Sequence, residues 1–251
     1  VAWSVALIAF PLLSLPLYAV FGRRKLEGYV EARRAGIADI KPIMDVLKQR
    51  AVKAAVIDGA SDAIRLGPLA RLAGMPFTRG NDTRVLIDGE ATFAAIFAAI
   101  QAARRYVLVE YYILRDDRIG RELQQRLLAR LDDGVRVLLL YDGVGSQGLA
   151  GYLAQLTAAG AEVAEFGVAG PLSRRLQLNF RNHRKIVVVD GRVGFVGGLN
   201  VGDEYLGRDP AFRPWRDTHV EIRGPAVLAL QLAFLEDWYD TAGQVPDLEW
   251  D

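Results

Sequence analysis

The chain has 251 residues, 51% of them hydrophobic and 24% charged, a balance that excludes general disorder and supports one sizeable buried core. Lys and Arg number 31 against 30 for Asp and Glu, a net charge of +1, so any pull on an anionic partner must come from a local patch. The lack of cysteine and the presence of only two histidines, His183 and His219, exclude a disulfide framework, a thiolate zinc site, a cysteine nucleophile and a poly-histidine metal cage.

Residues 1–21, VAWSVALIAFPLLSLPLYAVF, hold no charge. As one helix they would reach about 31 Å at ~1.5 Å per residue, close to the ~30 Å hydrocarbon core of a bilayer. The segment reads as an N-terminal transmembrane helix. A buried core helix is the alternative, because Pro11 and Pro16 each remove a backbone hydrogen bond. Arg23, Arg24, Lys25, Arg33 and Arg34 follow, opposed only by Glu27 and Glu31. By the positive-inside rule they put everything after residue 22 in the cytoplasm, next to anionic headgroups. Residues 22–80, interrupted by Gly67-Pro68, Gly74 and Pro76, read as a basic juxtamembrane connector.

A regular α/β pattern fills residues 81–251. A short strand at 84–88 precedes a helix whose Phe93, Ile96, Phe97 and Ile100 share one face. A β-rich run at 106–114 follows, then a helix carrying Ile119, Leu123, Leu127, Leu128 and Leu131, ended by Asp133-Gly134. Residues 135–141 form a nearly all-apolar strand of the kind covered on both faces. A helix at 149–159 closed by Gly160 and a strand at 162–166 continue the alternation, which argues for helices on both faces of a mixed sheet. Strands at 185–190 and 193–196 meet at Asp190-Gly191, a hairpin signal. A strand at 215–222 and a helix at 225–239 burying Leu228, Leu232, Leu235 and Trp238 complete the chain.

Chemistry concentrates between residues 179 and 205, NFRNHRKIVVVDGRVGFVGGLNVGDEY. His183, Lys185 and Asp190 stand in the spacing H-x-K-x4-D, and Gly197, Gly198 and Asn200 come at the end of the next strand. On an extended strand positions 183 and 185 share a face, which brings an imidazole and an ammonium together. The glycines and the asparagine would add backbone N–H groups and an amide toward the same anion. Taken singly, a histidine beside Arg and Lys, a Gly-Gly pair and an Asp-Gly turn are ordinary surface and turn features. Together they supply what metal-free displacement at a phosphodiester needs: a nucleophilic imidazole, a cation for the non-bridging oxygens and neutral donors.

This region resembles the phospholipase D superfamily, whose signature is H-x-K-x4-D-x6-G-[GS]-x-N, with Gly198 at the Gly-or-Ser position. More narrowly, GRRK after the apolar segment, VEYYILRDDRIG, LLLYDGVGS and WRDTHVEIRGPAV resemble bacterial cardiolipin synthases. The resemblance implies a phospholipase D-like mixed sheet sandwiched by helices. It also implies a transferase that joins two phosphatidylglycerol molecules into cardiolipin and glycerol, through a phosphatidyl-histidine intermediate and without a metal or other cofactor. His183 would then be the nucleophile, with Lys185, Gly198 and Asn200 on the phosphate. Asp217, in WRDTH, would orient the imidazole as the carboxylate does in hydrolase triads. Asp190 closes the signature, as a site residue or as a turn and salt-link residue. Glu110, an acid within VLVEYYIL, needs a partner near the site or among the local arginines. Asp142 in the YDGVGS turn and His219, two residues from Asp217, are further candidates.

Members of this superfamily build one site from two such motifs, and this chain has one. The expectation is the first phospholipase D-like half (81–251) of a longer protein, or a half that pairs with a second copy around a two-fold axis. Residues 171–192 hold Arg174, Arg175, Arg181, Arg184, Lys185 and Arg192 against Asp190 alone, a patch suited to phosphatidylglycerol and other anionic lipids. The setting expected is the bacterial inner membrane, with the catalytic part cytoplasmic and no nucleic acid as partner. The competing readings are a phosphodiesterase of the same superfamily using water on phospholipid or nucleic acid, and a non-catalytic membrane-bound half.

Overall fold

The computed structural model describes residues 2–21, 41–53, 67–70, 72, 75–166, 182–208 and 215–248. The chain divides into two compact units, Val1–Pro42 and Ile43–Asp251. The basic run at 23–34 and most of the connector, like Arg174, Arg175 and Arg181, lie outside the described residues.

The apolar N-terminus corrects the expectation of one long helix. It forms two helices, Ala2–Ala9 and Pro11–Phe21, and no described helix is long and apolar enough to cross a membrane. The break falls before Pro11, which has no N–H for a carbonyl one turn back but suits the first position of a new helix. Across the break the Ser14 hydroxyl donates to Ala6 O at 2.8 Å. The two helices fold against each other, with the rings of Trp3 and Tyr18 edge to face at 5.4 Å. Ile8, Phe10, Leu12 and Leu13 stay exposed.

The second unit is built on a seven-stranded sheet: β1 (Asp82–Ile87), β2 (Tyr106–Tyr111), β3 (Arg136–Asp142), β4 (Glu162–Phe166), β5 (Lys185–Val189), β6 (Val193–Gly197) and β7 (Thr218–Arg223). Their order is β1-β7-β6-β5-β2-β3-β4. β2, β3 and β4 run parallel, and every other pair is antiparallel. The sheet is therefore mixed, with β2 and β5 fully buried at its centre.

Helices Asp88–Gln101, Arg118–Asp132 and Ala150–Ala158 cover one face. Phe93, Ile96, Phe97, Ile100, Ile119, Leu123 and Leu127 pack there with Val107, Val109, Val137, Leu139, Val187 and Phe195 in one apolar cluster. Helix Val227–Ala242 covers the other face and buries Leu228, Leu232, Leu235 and Trp238, while Gln231 Nε2 donates to Tyr106 Oη at 2.6 Å. Helix Arg118–Asp132 starts where its sequence demands: the Asp117 carboxylate accepts from Gly120 N at 3.0 Å. Asp203 accepts from Arg118 N and Ile119 N at 3.2 Å each, so two carboxylates meet the free N–H groups of the first turn.

β5 and β6 are joined by a tight turn in which Asp190 (φ 53°) and Gly191 (φ 67°) are both left-handed and Arg192 N donates to Val189 O at 3.0 Å. Two successive positive φ angles define the hairpin turn that matches strand twist, which is why Asp-Gly sits there. This hairpin sets the register that carries the signature: Ile186 faces Val196, and Gly197 at the end of β6 faces His219.

Candidate active site

The C-terminal ends of β2, β3 and β6 and the N-terminal ends of β5 and β7 meet at one end of the sheet. His183 stands there, exposed, two residues ahead of the buried Lys185. Its imidazole stacks on the Tyr112 ring, with centroids 3.9 Å apart and planes 21° from parallel. Lys185 Nζ lies 5.4 Å from the centre of the same ring and donates to His183 O at 2.6 Å. One tyrosine thus supports both the imidazole and the ammonium, through stacking and a cation–π contact. Burial lowers the Lys185 pKa, and the Asp217 carboxylate opposes that shift. Tyr112 escapes sequence reasoning because nothing in VEYYIL separates it from a core aromatic.

The two glycines work by what they lack. A Cβ on Gly197 would lie 2.4 Å from His219 Nδ1, and one on Gly198 would lie 2.3 Å from Asp217 Oδ1. The Gly-Gly pair is therefore a floor on which Asp217, just ahead of β7, and His219, within it, rest. The expected use of the Gly198 N–H as a phosphate donor is not what the backbone shows, because that N–H donates to Thr218 O at 3.3 Å and continues the ladder.

Asp217 is half-buried over Gly198, and its Oδ1 accepts from Thr218 N at 2.7 Å. The expected hydrogen bond to His183 is not among its contacts. Its charge acts instead on its neighbours Lys185 and His219. His219 is buried and its Nδ1 has no partner. Burial, reinforced by Lys185 and opposed by Asp217, pushes its pKa down to about 4, so the ring is neutral at pH 7 and packs as an apolar plate.

Asn200 is also buried, and its amide is in use. Oδ1 accepts from Ile113 N at 3.0 Å and Nδ2 donates to Tyr205 Oη at 2.9 Å, which leaves one amide hydrogen for a ligand. Asp142 Oδ1 accepts from Val144 N and Gly145 N at 2.9 and 3.0 Å, and its Oδ2 from Asn182 N at 3.4 Å. It shapes the turn after β3 and ties it to the segment before β5.

Asp190 stands away from this group. It follows the last residue of β5, roughly 16 Å along the strand from Lys185 at ~3.3 Å per residue. Its carboxylate accepts from Arg104 N, Arg105 N and Tyr106 N at 2.9, 2.8 and 3.0 Å. The signature aspartate is an anchor between the hairpin and the start of β2, not a member of the site.

Glu110 points to the opposite face of the sheet from Lys185, since Tyr111 pairs with Lys185 and Glu110 with Ile186. Its Oε1 accepts from Asn182 Nδ2. Among the described residues no group of His, Asp or Glu is arranged to hold a metal ion.

Residues 96–231, which include every residue of this site, match the family described as "Cardiolipin synthase, PLD-like domain". The chain belongs to this family. It is 46% identical over 251 residues to cardiolipin synthase A of Pseudomonas entomophila (strain L48), covering 99% of this chain and 52% of that protein. Against cardiolipin synthase A of Pseudomonas aeruginosa (strain LESB58) it is 44% identical over 254 residues, 99% of this chain and 51% of that protein. The chain spans about half the length of these curated relatives. Among solved structures, NucT from Helicobacter pylori superposes with a TM-score of 0.50 over 64% of this chain and 98% of that one, at 13% identity. That likeness concerns the fold alone, and it agrees with a mixed sheet flanked by helices.

Proposed function

We propose that this chain is a phospholipase D-like half of a cardiolipin synthase, in which His183 carries the phosphatidyl group. The observation that carries the reading is the 46% identity to a cardiolipin synthase A along the whole chain. The exposed, stacked His183 with Lys185 beside it supports the assignment of nucleophile and phosphate cation.

In the first step an imidazole nitrogen of His183 attacks the phosphorus of one phosphatidylglycerol. The bond from phosphorus to the headgroup glycerol oxygen breaks, and glycerol leaves with a proton supplied by a second, motif-bearing half of the longer protein or of a second copy. In the second step the primary hydroxyl of another phosphatidylglycerol attacks the phosphorus, returns its proton to that same acid–base group and displaces His183, giving cardiolipin. Lys185, with two hydrogens of Nζ not committed to His183 O, offsets charge on the non-bridging oxygens. Gly198 and Asn200 line the same end of the sheet, Asn200 offering its remaining amide hydrogen. Asp217 supports the site through its charge on Lys185 and His219.

The exposed apolar surface of the N-terminal helix pair, with Ile8, Phe10, Leu12 and Leu13 outward, suits contact with lipid. The basic run at 23–34 suits the cytoplasmic leaflet of a bacterial inner membrane. A site held against that surface receives both donor and acceptor lipid at high local concentration.

The test is the complete gene product on phosphatidylglycerol vesicles. Cardiolipin and glycerol in equal amounts support the proposal. Phosphatidic acid as main product would make the chain a hydrolase, and binding without turnover would make it a non-catalytic half. A His183→Ala variant that still makes cardiolipin at the wild-type rate overturns the nucleophile.

A further inference from the structure

The residues on either side of the proposed nucleophile are held from the far side of the sheet. Asn182 is buried and every polar atom of its amide is used. Nδ2 donates to Glu110 Oε1 and, at 3.1 Å, to Asp237 Oδ2. Oδ1 accepts from Arg184 N at 3.0 Å, a turn that encloses His183. The Arg184 guanidinium pairs with the same Asp237 oxygen and donates to Ala233 O at 3.3 Å. Asn182 and Arg184 therefore reach toward helix Val227–Ala242 while His183 and Lys185 serve the opposite side.

On the reading that His183 is the nucleophile, we propose that Glu110 is a positioning residue for it: with Asp237 it clamps Asn182 and Arg184 and so fixes the backbone that presents the imidazole.

Charge balance specifies the form in which the clamp works. Two carboxyl groups and one amide share a buried space, Glu110 being 1% and Asp237 7% exposed, and the half-exposed Arg184 guanidinium closes its edge. With both acids ionised the cluster would hold a net negative charge, and with one proton it is neutral. Burial pushes the Glu110 pKa well up. The Asp237 carboxylate adds to the shift, while Asn182 and Arg184 oppose it. These three are the groups that face Glu110 from the segment before β5 and from the C-terminal helix. The proton that makes the cluster neutral is accordingly held by Glu110, the acid without a guanidinium contact, and the amide of Asn182 bridges Glu110 and Asp237. Loss of that proton on raising the pH adds a negative charge beside the amide and loosens the hold on His183.

The test uses Glu110→Gln, which keeps the shape and removes only the titrating proton, and Glu110→Ala, which removes the clamp. Two readouts are needed, and one is independent of catalysis. The ring resonances of His183 are assigned as those missing from a His183→Gln sample. Glu110→Gln should keep the wild-type His183 resonances and kcat, and should lose the decline of both that the wild type shows as the pH is raised. It should also lack the protonated-carboxyl infrared band present in wild type. Glu110→Ala should shift or broaden the His183 resonances and lower kcat by about 10²-fold, the cost of a misplacement near 1 Å, with KM unchanged. The proposal is overturned if Glu110→Gln keeps the wild-type decline on raising the pH, if the infrared band is absent from wild type, or if Glu110→Ala leaves the His183 resonances in place. Should the wild-type protein make no cardiolipin, the resonance and infrared arms still decide the clamp, and only the functional reading falls.

Discussion

The two ends of β5 carry ionisable residues of one short motif and use them in opposite ways. At the first end, Lys185 and the neighbouring His183 face Tyr112, Asp217 and His219, where sheet ends converge and His183 is open to solvent. At the other, Asp190 turns back to accept three backbone N–H groups from Arg104, Arg105 and Tyr106. The spacing H-x-K-x4-D thus records a strand length: on the proposed function the first two letters set the chemistry, and the last pins the strand that presents it. A motif residue far from the chemistry is retained for geometry, and the two roles are separable by experiment.

The sharpest separation is expected at the first end. His183→Ala should lower phosphatidyl transfer by at least about 10³-fold, and Lys185→Met by about 10², with urea midpoints close to wild type. If His183→Ala unfolds the protein instead, the contrast between the ends fails. At the other end, Asp190→Ala should cost about 2–4 kcal/mol of stability, because three donors lose a charged acceptor and alanine is strained at φ 53°. Transfer per folded molecule should be unchanged there. A fall in kcat at constant folded fraction would return Asp190 to the site.

The floor of the site gives two smaller tests. His219 has its pKa lowered to about 4 in the folded chain against ~6.5 unfolded. The unfolded state binds more protons between those values, so stability is fully present above about pH 6.5 and declines toward pH 4, by up to about 3 kcal/mol. His219→Gln should flatten that part of the stability curve, and an unchanged slope would refute the neutral buried ring. The glycines rank last. Gly197→Ala meets the His219 ring and Thr218 O and should cost about 1–3 kcal/mol. Gly198→Ala meets only the end of the Asp217 carboxylate and should cost less than about 1 kcal/mol, the side chain swinging aside. Equal costs, read from denaturation midpoints, would mean the floor is not built as described.

Much of the body is legible from periodicity, because a buried face repeats locally along the chain. Phe93, Ile96, Phe97 and Ile100 are all buried on one helix face, as are Leu228, Leu232, Leu235 and Trp238 on another, and the hairpin falls at Asp190-Gly191. The N-terminal segment is the counter-example. Its length and lack of charge suggest one span, yet a single missing N–H at Pro11 divides it into helices of 8 and 11 residues. The site divides along the same line. His183, Lys185 and Asp217 stand out as candidates from spacing and resemblance, whereas Tyr112 and Asp237 do not, since their partners lie 71 and 55 positions away (Tyr112 to His183, Asn182 to Asp237).

By itself the sequence determined the α/β alternation, the hairpin and the placing of His183 beside Lys185, all of which depend on residues near one another in the chain. The tertiary structure alone decided which face of β5 each residue serves and that Asp190 caps the start of β2. It also decided that Gly197 and Gly198 leave room for His219 and Asp217, and that Glu110 meets Asn182 and Asp237. Those outcomes depend on strand order and register, which bring distant segments within hydrogen-bond reach, and local pattern carries no information about that pairing.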